Sequence, residues 1–189
     1  VLNKELIAGA DVLSANRKKA IPKIETEINK MLVEVAMSAA SIKIECLDLS
    51  IDDFNSEGAN QIKFLFSANK GGTHKEISKV ASGGELSRLM LCIKAMMAEL
   101  SDMPTVIFDE IDTGVSGEVA LKMASLLQEM SKNGQCLAIT HLPQVAAKAA
   151  HHFKVSKEVS SDRMLTSVHL LQLEERRHEI ARYPNARRP

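Results

Sequence analysis

Three short stretches of the 189-residue chain combine residue types that can do chemistry. In Val80-Ala81-Ser82-Gly83-Gly84-Glu85-Leu86-Ser87-Arg88, two adjacent glycines open what the spacing predicts to be an amphipathic helix. Ser82 falls at its N-cap, and Glu85, three residues on, completes an S-x-x-E capping box. A glycine in the first turn costs about 1 kcal/mol relative to alanine. Bare backbone of this kind serves close approach to a ligand, and the free N–H groups and positive dipole end of a helix N-terminus favour an anion such as phosphate. On these residues alone, a plain capped helix and an anion site are both open. The second stretch is Thr105-Val106-Ile107-Phe108 followed by Asp109-Glu110, a continuous apolar run with an acidic tip. The third, Cys136-Leu137-Ala138-Ile139-Thr140, ends at His141. An acidic strand tip by itself reads as a solvated turn; the three stretches together need another explanation.

The elements that must position these residues follow from periodicity. From Glu85 to Leu100 the apolar positions Leu86, Leu89, Met90, Ile93, Met96, Met97 and Leu100 recur at helical spacing, with Arg88, Lys94 and Glu99 opposite. Ser101-Asp102-Met103-Pro104 ends that helix. From Gly117 to Lys132, Val119, Met123, Leu126, Leu127 and Met130 mark another helical face, with Ser116 as a cap and Asn133-Gly134 as the stop. Strand, helix and strand at this length predict a right-handed parallel crossover. Asp109, Glu110 and His141 then share the sheet edge at which open α/β folds bind ligands.

Elsewhere the chain reads as support. Val1 to Met37 predicts a helix in which Ile21, Ile24, Ile28, Met31 and Val35 alternate three- and four-residue steps, a heptad seam flanked by Lys23, Glu25, Glu27, Lys30 and Glu34. Pro22 predicts a kink or a restart. A coiled-coil stump and a helix packed on its own domain are both open. Ser41 to Ile51 alternates through Ile42, Ile44 and Cys46, then slips phase to Leu47, Leu49 and Ile51, which predicts a strand with a bulge or a twist partway. Asn60 to Ala68 alternates again and predicts its antiparallel partner, and Lys70 to Lys79 reads as a polar loop. Beyond His141 the pattern predicts a short helix from Pro143 to Ala150, strands near Phe153–Glu158 and Met164–Leu173, and a helix from Glu174 to about Arg182. Tyr183 to Pro189 carries no pattern and reads as a tail. His151, His152, His169 and His178 lack zinc spacing.

Composition bounds the function classes. Hydrophobic residues make up 45% and charged ones 25%, ordinary for a soluble globular domain and wrong for intrinsic disorder. Lysine plus arginine equals aspartate plus glutamate, 24 each, so no global field favours DNA or an anionic membrane. Aromatic content of 3%, without tryptophan, argues against stacking platforms for single-stranded nucleic acid. Cys46, Cys92 and Cys136 are odd in number and set in apolar runs, as expected for buried thiols of a reducing compartment. With no apolar stretch of membrane-spanning length and no signal-peptide layout in Val1 to Ala10, a cytoplasmic protein is expected.

At this point the set resembles the ATP-binding cassette and SMC class of ATPases, with Ala81 to Glu85 as the signature motif, Val106 to Glu110 as Walker B and Ile139 to His141 as the switch-histidine strand. More closely, Ser67-Ala68-Asn69, the Lys79 to Arg88 stretch, Phe108-Asp109-Glu110-Ile111-Asp112-Thr113-Gly114-Val115-Ser116-Gly117, Thr140-His141-Leu142-Pro143-Gln144-Val145-Ala146 and Glu179-Ile180-Ala181-Arg182 resemble the RecN family of SMC-like proteins in bacterial recombinational DNA repair. The likeness runs from about Leu13 to Arg182 and implies the C-terminal half of a full-length member. It implies an α/β fold, the C-terminal lobe of an SMC-type ATPase head: parallel strands with crossover helices, an antiparallel hairpin and a coiled-coil stump. The corresponding division is 1–40 for the arm, 41–182 for the lobe and 183–189 for the tail.

The resemblance further implies that Asp109 holds Mg²⁺ through water, that Glu110 orients and polarises the attacking water, and that His141 contacts the γ-phosphate or that water. Ser82, Gly83, Gly84 and Glu85 would meet the γ-phosphate of ATP held on a second head, so that nucleotide is sandwiched in a homodimer. Many cassette ATPases have an aspartate where Ser116 stands, which leaves the role of that position open. No G-x-x-x-x-G-K-[ST] phosphate loop occurs in the chain, so an N-terminal lobe bearing Walker A is the implied partner, and the chain alone is expected to bind ATP weakly and turn it over negligibly. DNA is an expected partner of the full protein, a membrane is not, and the implied location is the bacterial cytoplasm at the nucleoid. Two alternatives stand beside this enzyme reading: a non-catalytic dimerisation or interaction module, and a fragment of another cassette ATPase such as a transporter's.

Overall fold

The computed structural model describes residues 2–79, 83–101, 103–109, 111–112, 115, 117–160 and 163–183. They fall into two compact units, Val1–Met97 and Ala98–Pro189.

In the first unit α1 (Leu2–Glu34) is one helix with Pro22 inside it, so of the expected kink or restart the restart does not occur. It lies along a three-stranded antiparallel sheet of order β1-β2-β3, formed by β1 (Ser41–Asp48), β2 (Asn60–Ser67) and β3 (Lys75–Glu76). Of the seam residues, Ile28 and Val35 are buried together with Leu32. Polar side chains of α1 also satisfy the open edge of β1: the Ile42 N–H donates to Asn29 Oδ1 at 2.8 Å and the Ile44 N–H to Glu25 Oε1 at 2.6 Å. An edge strand whose N–H groups are met in this way is closed to further pairing. Nearer the start of the helix, Ser14 donates to Asn60 Oδ1 at 2.8 Å and Lys18 pairs with Asp48 at 2.8 Å. Gly58, at φ +105°, sits under the helix, and a Cβ there would stand 2.8 Å from Leu13 Cδ2.

Two expectations for this unit are corrected. The register between β1 and β2 is continuous from Ser41↔Ser67 to Asp48↔Asn60, so there is no bulge. The slip of hydrophobic phase arises because the strand ends at Asp48, leaving Leu49 and Ile51 in the turn that follows. The Lys70–Lys79 loop contributes β3, whose Lys75 and Glu76 pair with Phe66 and Leu65. Such a two-residue polar strand carries no alternation from which it could be read.

α2 (Gly83–Leu100) begins in the first unit. Leu89, Leu91, Cys92 and Ala95 are buried, and burial pushes the Cys92 thiol up to about 12, with the nearby Glu34 carboxylate adding to the effect. Cys46 and Cys136 are half-buried rather than buried, and all three cysteines are free.

The second unit is built on β4 (Thr105–Asp109) and β5 (Gln135–Ile139), which pair in parallel with α3 (Gly117–Met130) between them in the chain. Phe108 is fully buried. The inner face of α3 carries Ala120, Met123, Ala124, Leu127 and Met130, and the two alanines leave room for α4 (Pro143–Lys148) to pack with Val145 and Ala146 buried. An antiparallel hairpin, β6 (Phe153–Ser160) and β7 (Arg163–Leu170), and α5 (Leu173–Arg182) follow. The expected strand to Leu173 stops three residues early, where Leu173 instead opens α5. The α5 guanidinium of Arg176 donates to the carbonyls of Ala149 at 2.6 Å and Ala150 at 3.0 Å, satisfying acceptors just past the end of α4. Burial and the neighbouring Arg176 charge push His152 below the usual imidazole range. Among the described residues no helix is long and apolar enough to cross a membrane.

Candidate functional site

The site in the second unit is set by strand register. β4 and β5 run side by side from Thr105↔Gln135 to Asp109↔Ile139, so both strands end at one edge of the pair. Asp109 is the last residue of β4, and His141 lies two residues beyond the end of β5. Period-two alternation puts Asp109 on the same face as Ile107, Leu137 and Ile139, all exposed, while Phe108 fills the core on the other side. Asp109 is exposed as well, and the side chain of His141 is 69% accessible. A carboxylate and an imidazole are thereby offered at the open edge of a parallel strand pair.

Beside His141 stands a residue that the sequence reading quoted without a role. Asp112 is fully buried. Its Oδ2 accepts a short hydrogen bond from Thr140 Oγ1–H and a second from the His141 backbone N–H at 3.2 Å. Thr140 Oγ1 in turn accepts from the Leu142 N–H at 3.0 Å, at the start of α4. The other oxygen, Oδ1, makes no hydrogen bond, but His141 Nδ1 lies 3.3 Å away, within ion-pair reach when the ring is protonated. Nothing in the run Asp109-Glu110-Ile111-Asp112 announces which acid is enclosed. In the sequence Asp112 stands between Ile111 and the pair Thr113-Gly114, the context of a solvated loop.

The glycine-rich helix start belongs to the first unit. Gly83 opens α2 and is exposed, and a Cβ built on it meets no atom within 4 Å. Packing among the described residues therefore does not call for glycine at this position. Glu85 follows in the first turn of α2. Arg88, one turn further, is half-buried with its Nε enclosed and without a hydrogen bond. Ser82 and Glu110, together with Ser116, lie outside the described residues.

A divalent cation fits the chemistry of this edge in a limited sense. Asp109 supplies a hard oxygen donor, and the described residues hold no group of three or more His, Cys, Asp or Glu able to cage a metal ion. An ion held by one carboxylate and completed by water and phosphate oxygens is the Mg²⁺ pattern.

Comparison with known proteins agrees with this architecture. No family model matches the chain. The DNA repair protein RecN of Rickettsia prowazekii is 40% identical over 182 residues, covering 96% of this chain and 32% of that protein. The RecN protein of Bacillus subtilis is 38% identical over 174 residues (87% and 30%), and that of Deinococcus radiodurans 36% over 181 (96% and 31%). Among solved structures, the Smc head domain with coiled coil and joint from Pyrococcus yayanosii superposes with a TM-score of 0.67 at 20% identity, over 87% of this chain and 29% of that one. A structure of SMC ATPases described for ATP-driven dimerization and DNA-stimulated activation gives 0.60 at 20%, over 89% of this chain and 95% of that one. At such identities the structural likeness speaks for the fold, that of an SMC head domain. The chain spans about a third of the length of the curated relatives it matches, and the implied C-terminal half is corrected accordingly. With 34–40% identity sustained across nearly all of its residues, the chain belongs to the RecN family and corresponds to the C-terminal part of its longer members.

Proposed function

We propose that this chain is the C-terminal lobe of an ATP-hydrolysing SMC-like head that acts in bacterial DNA double-strand break repair. The observation that carries the reading is the parallel β4–β5 register, which delivers Asp109 and His141 to one strand edge. In this reading Asp109 holds Mg²⁺ through water, and the ion, when bound, neutralises charge developing on the phosphates. Glu110 orients and polarises the attacking water, a role for a carboxylate within hydrogen-bond reach of the proton it draws. His141 meets the γ-phosphate or that water from the neighbouring strand. Ser82, Gly83, Gly84 and Glu85 form the signature, offering hydroxyl and backbone N–H groups to the γ-phosphate of ATP on a second head. The open surround of Gly83 supports approach from outside the chain. ATP binding and head dimerisation then become one event, read out at the nucleoid in the cytoplasm through a coiled-coil arm of which α1 is the stump.

Exposed apolar surface supports the need for a second lobe. Ile107, Leu137 and Ile139 share one face of the β4–β5 pair and are 57%, 42% and 58% exposed. Parallel strands are almost always covered on both faces, and two of them do not make a stable sheet alone. The missing cover is assigned to an N-terminal lobe that carries Walker A.

The test is ATP turnover by the chain alone and mixed with the N-terminal part of its own longer protein. Turnover in the mixture and none above background for the chain alone is expected. A folded mixture that dimerises without hydrolysing ATP would favour an interaction module instead.

A further inference from the structure

Among the described acidic residues Asp112 is the buried one, and the proposed mechanism does not use it. A carboxylate out of water must have its oxygens met by donors. Here the donors come from one place: Thr140 Oγ1–H and the His141 N–H reach Oδ2, and His141 Nδ1 stands 3.3 Å from Oδ1. Closing a loop needs one such bond, and the Asp112 carbonyl already accepts the Val115 N–H at 3.1 Å. What the carboxylate adds is control of the 140–141 backbone and of one ring nitrogen. The rest of the His141 side chain is exposed, and Nε2 makes no hydrogen bond among the described residues.

We propose that Asp112 is a positioning residue for His141, holding the ring with Nδ1–H turned to the buried carboxylate and Nε2 turned outward. An unprotonated Nδ1 would set lone pair against lone pair across 3.3 Å, so the carboxylate selects the tautomer as well as the orientation. Nε2 is left to accept from the attacking water or, in the doubly protonated ring, to donate to the γ-phosphate. The Leu142 N–H to Thr140 Oγ1 bond ties the same network to the start of α4, so the ring is fixed from the backbone side too. The catalytic consequence rests on the reading of His141 given above; the tautomer does not.

The experiment uses Asp112→Asn, which keeps the shape but replaces an acceptor by an N–H donor facing Nδ1. Long-range proton–nitrogen spectra of the ¹⁵N-histidine-labelled chain, recorded well above the ordinary imidazole range, report the tautomer directly. The wild type is expected to carry the proton on Nδ1 of His141 and the variant on Nε2. In the mixture with the N-terminal part, Asp112→Asn is expected to lower kcat by about 10- to 100-fold with KM for ATP little changed. It should add almost nothing to His141→Ala. An Nε2–H tautomer in the wild type overturns the proposal, and that spectrum decides even if the variant does not fold. An unchanged tautomer in Asp112→Asn, or a loss that adds in full to that of His141→Ala, overturns it equally. Should His141→Ala leave turnover intact, the functional reading of His141 fails while the spectra still decide the positioning role.

Discussion

Replacing Glu110 by glutamine in the complete head is expected to lower ATP turnover by at least about a hundredfold while lengthening the life of the ATP-bound dimer. The change removes one negative charge and the ability to draw a proton from water, and it keeps the shape and much of the hydrogen bonding of the side chain. Ground-state binding of nucleotide does not depend on that proton, so affinity should hold as hydrolysis falls. The measurement is single-turnover hydrolysis beside the dimer fraction by light scattering. Equal loss of dimer and turnover would point to Glu110 as a structural residue. Unchanged DNA-repair activity in cells carrying the variant would favour the interaction-module reading.

The second large effect separates two neighbours in one strand. Phe108 is fully buried, and Phe108→Ala is expected to destabilise this chain by about 3–5 kcal/mol, the usual range for truncating an enclosed aromatic ring. Ile107, next to it, faces the other way and is 57% exposed. Ile107→Ala should therefore cost the isolated chain less than about 1 kcal/mol. In the presence of the N-terminal lobe the order changes: Ile107→Ala should weaken association of the two parts by about tenfold, because only then is its side chain taken from water. Urea unfolding of the chain and a titration with the N-terminal part check the two halves of this prediction. Equal destabilisation by both substitutions in the isolated chain would mean that the outer face is already covered.

How far the site was legible differs from element to element. Period-two and continuous apolar runs marked β1, β2, β4 and β5 because burial on one or both faces writes itself into residue order. The crossover rule brings Asp109 and His141 to one edge from residue order alone, and the parallel register of β4 with β5 bears that out. The strand end at Asp48 was not legible, since Leu49 and Ile51 continue the apolar alternation of Leu47 although the backbone leaves the ladder after Asp48. β3 was invisible because Lys75-Glu76 is polar and two residues long. The two open possibilities for the first helix are separated only by tertiary contact: Ile28 and Val35 are buried within the first unit, whereas Leu6 and Val12 near its start are exposed. Asp112 illustrates the general limit. Enclosure of a carboxylate depends on donors nearly thirty residues away at Thr140 and His141, and no local pattern encodes that.

The central claim is that the glycine-rich helix start of one head completes the ATP site of another. Mixing two inactive heads tests it most directly: one carries Glu110→Gln with its signature intact, the other Ser82→Arg with Glu110 intact. A shared site predicts that the mixture recovers roughly a quarter of wild-type turnover, since half the dimers formed at random are mixed and each has one intact site. A mixture as inactive as its two components, in dimers shown to exchange subunits, would contradict the account.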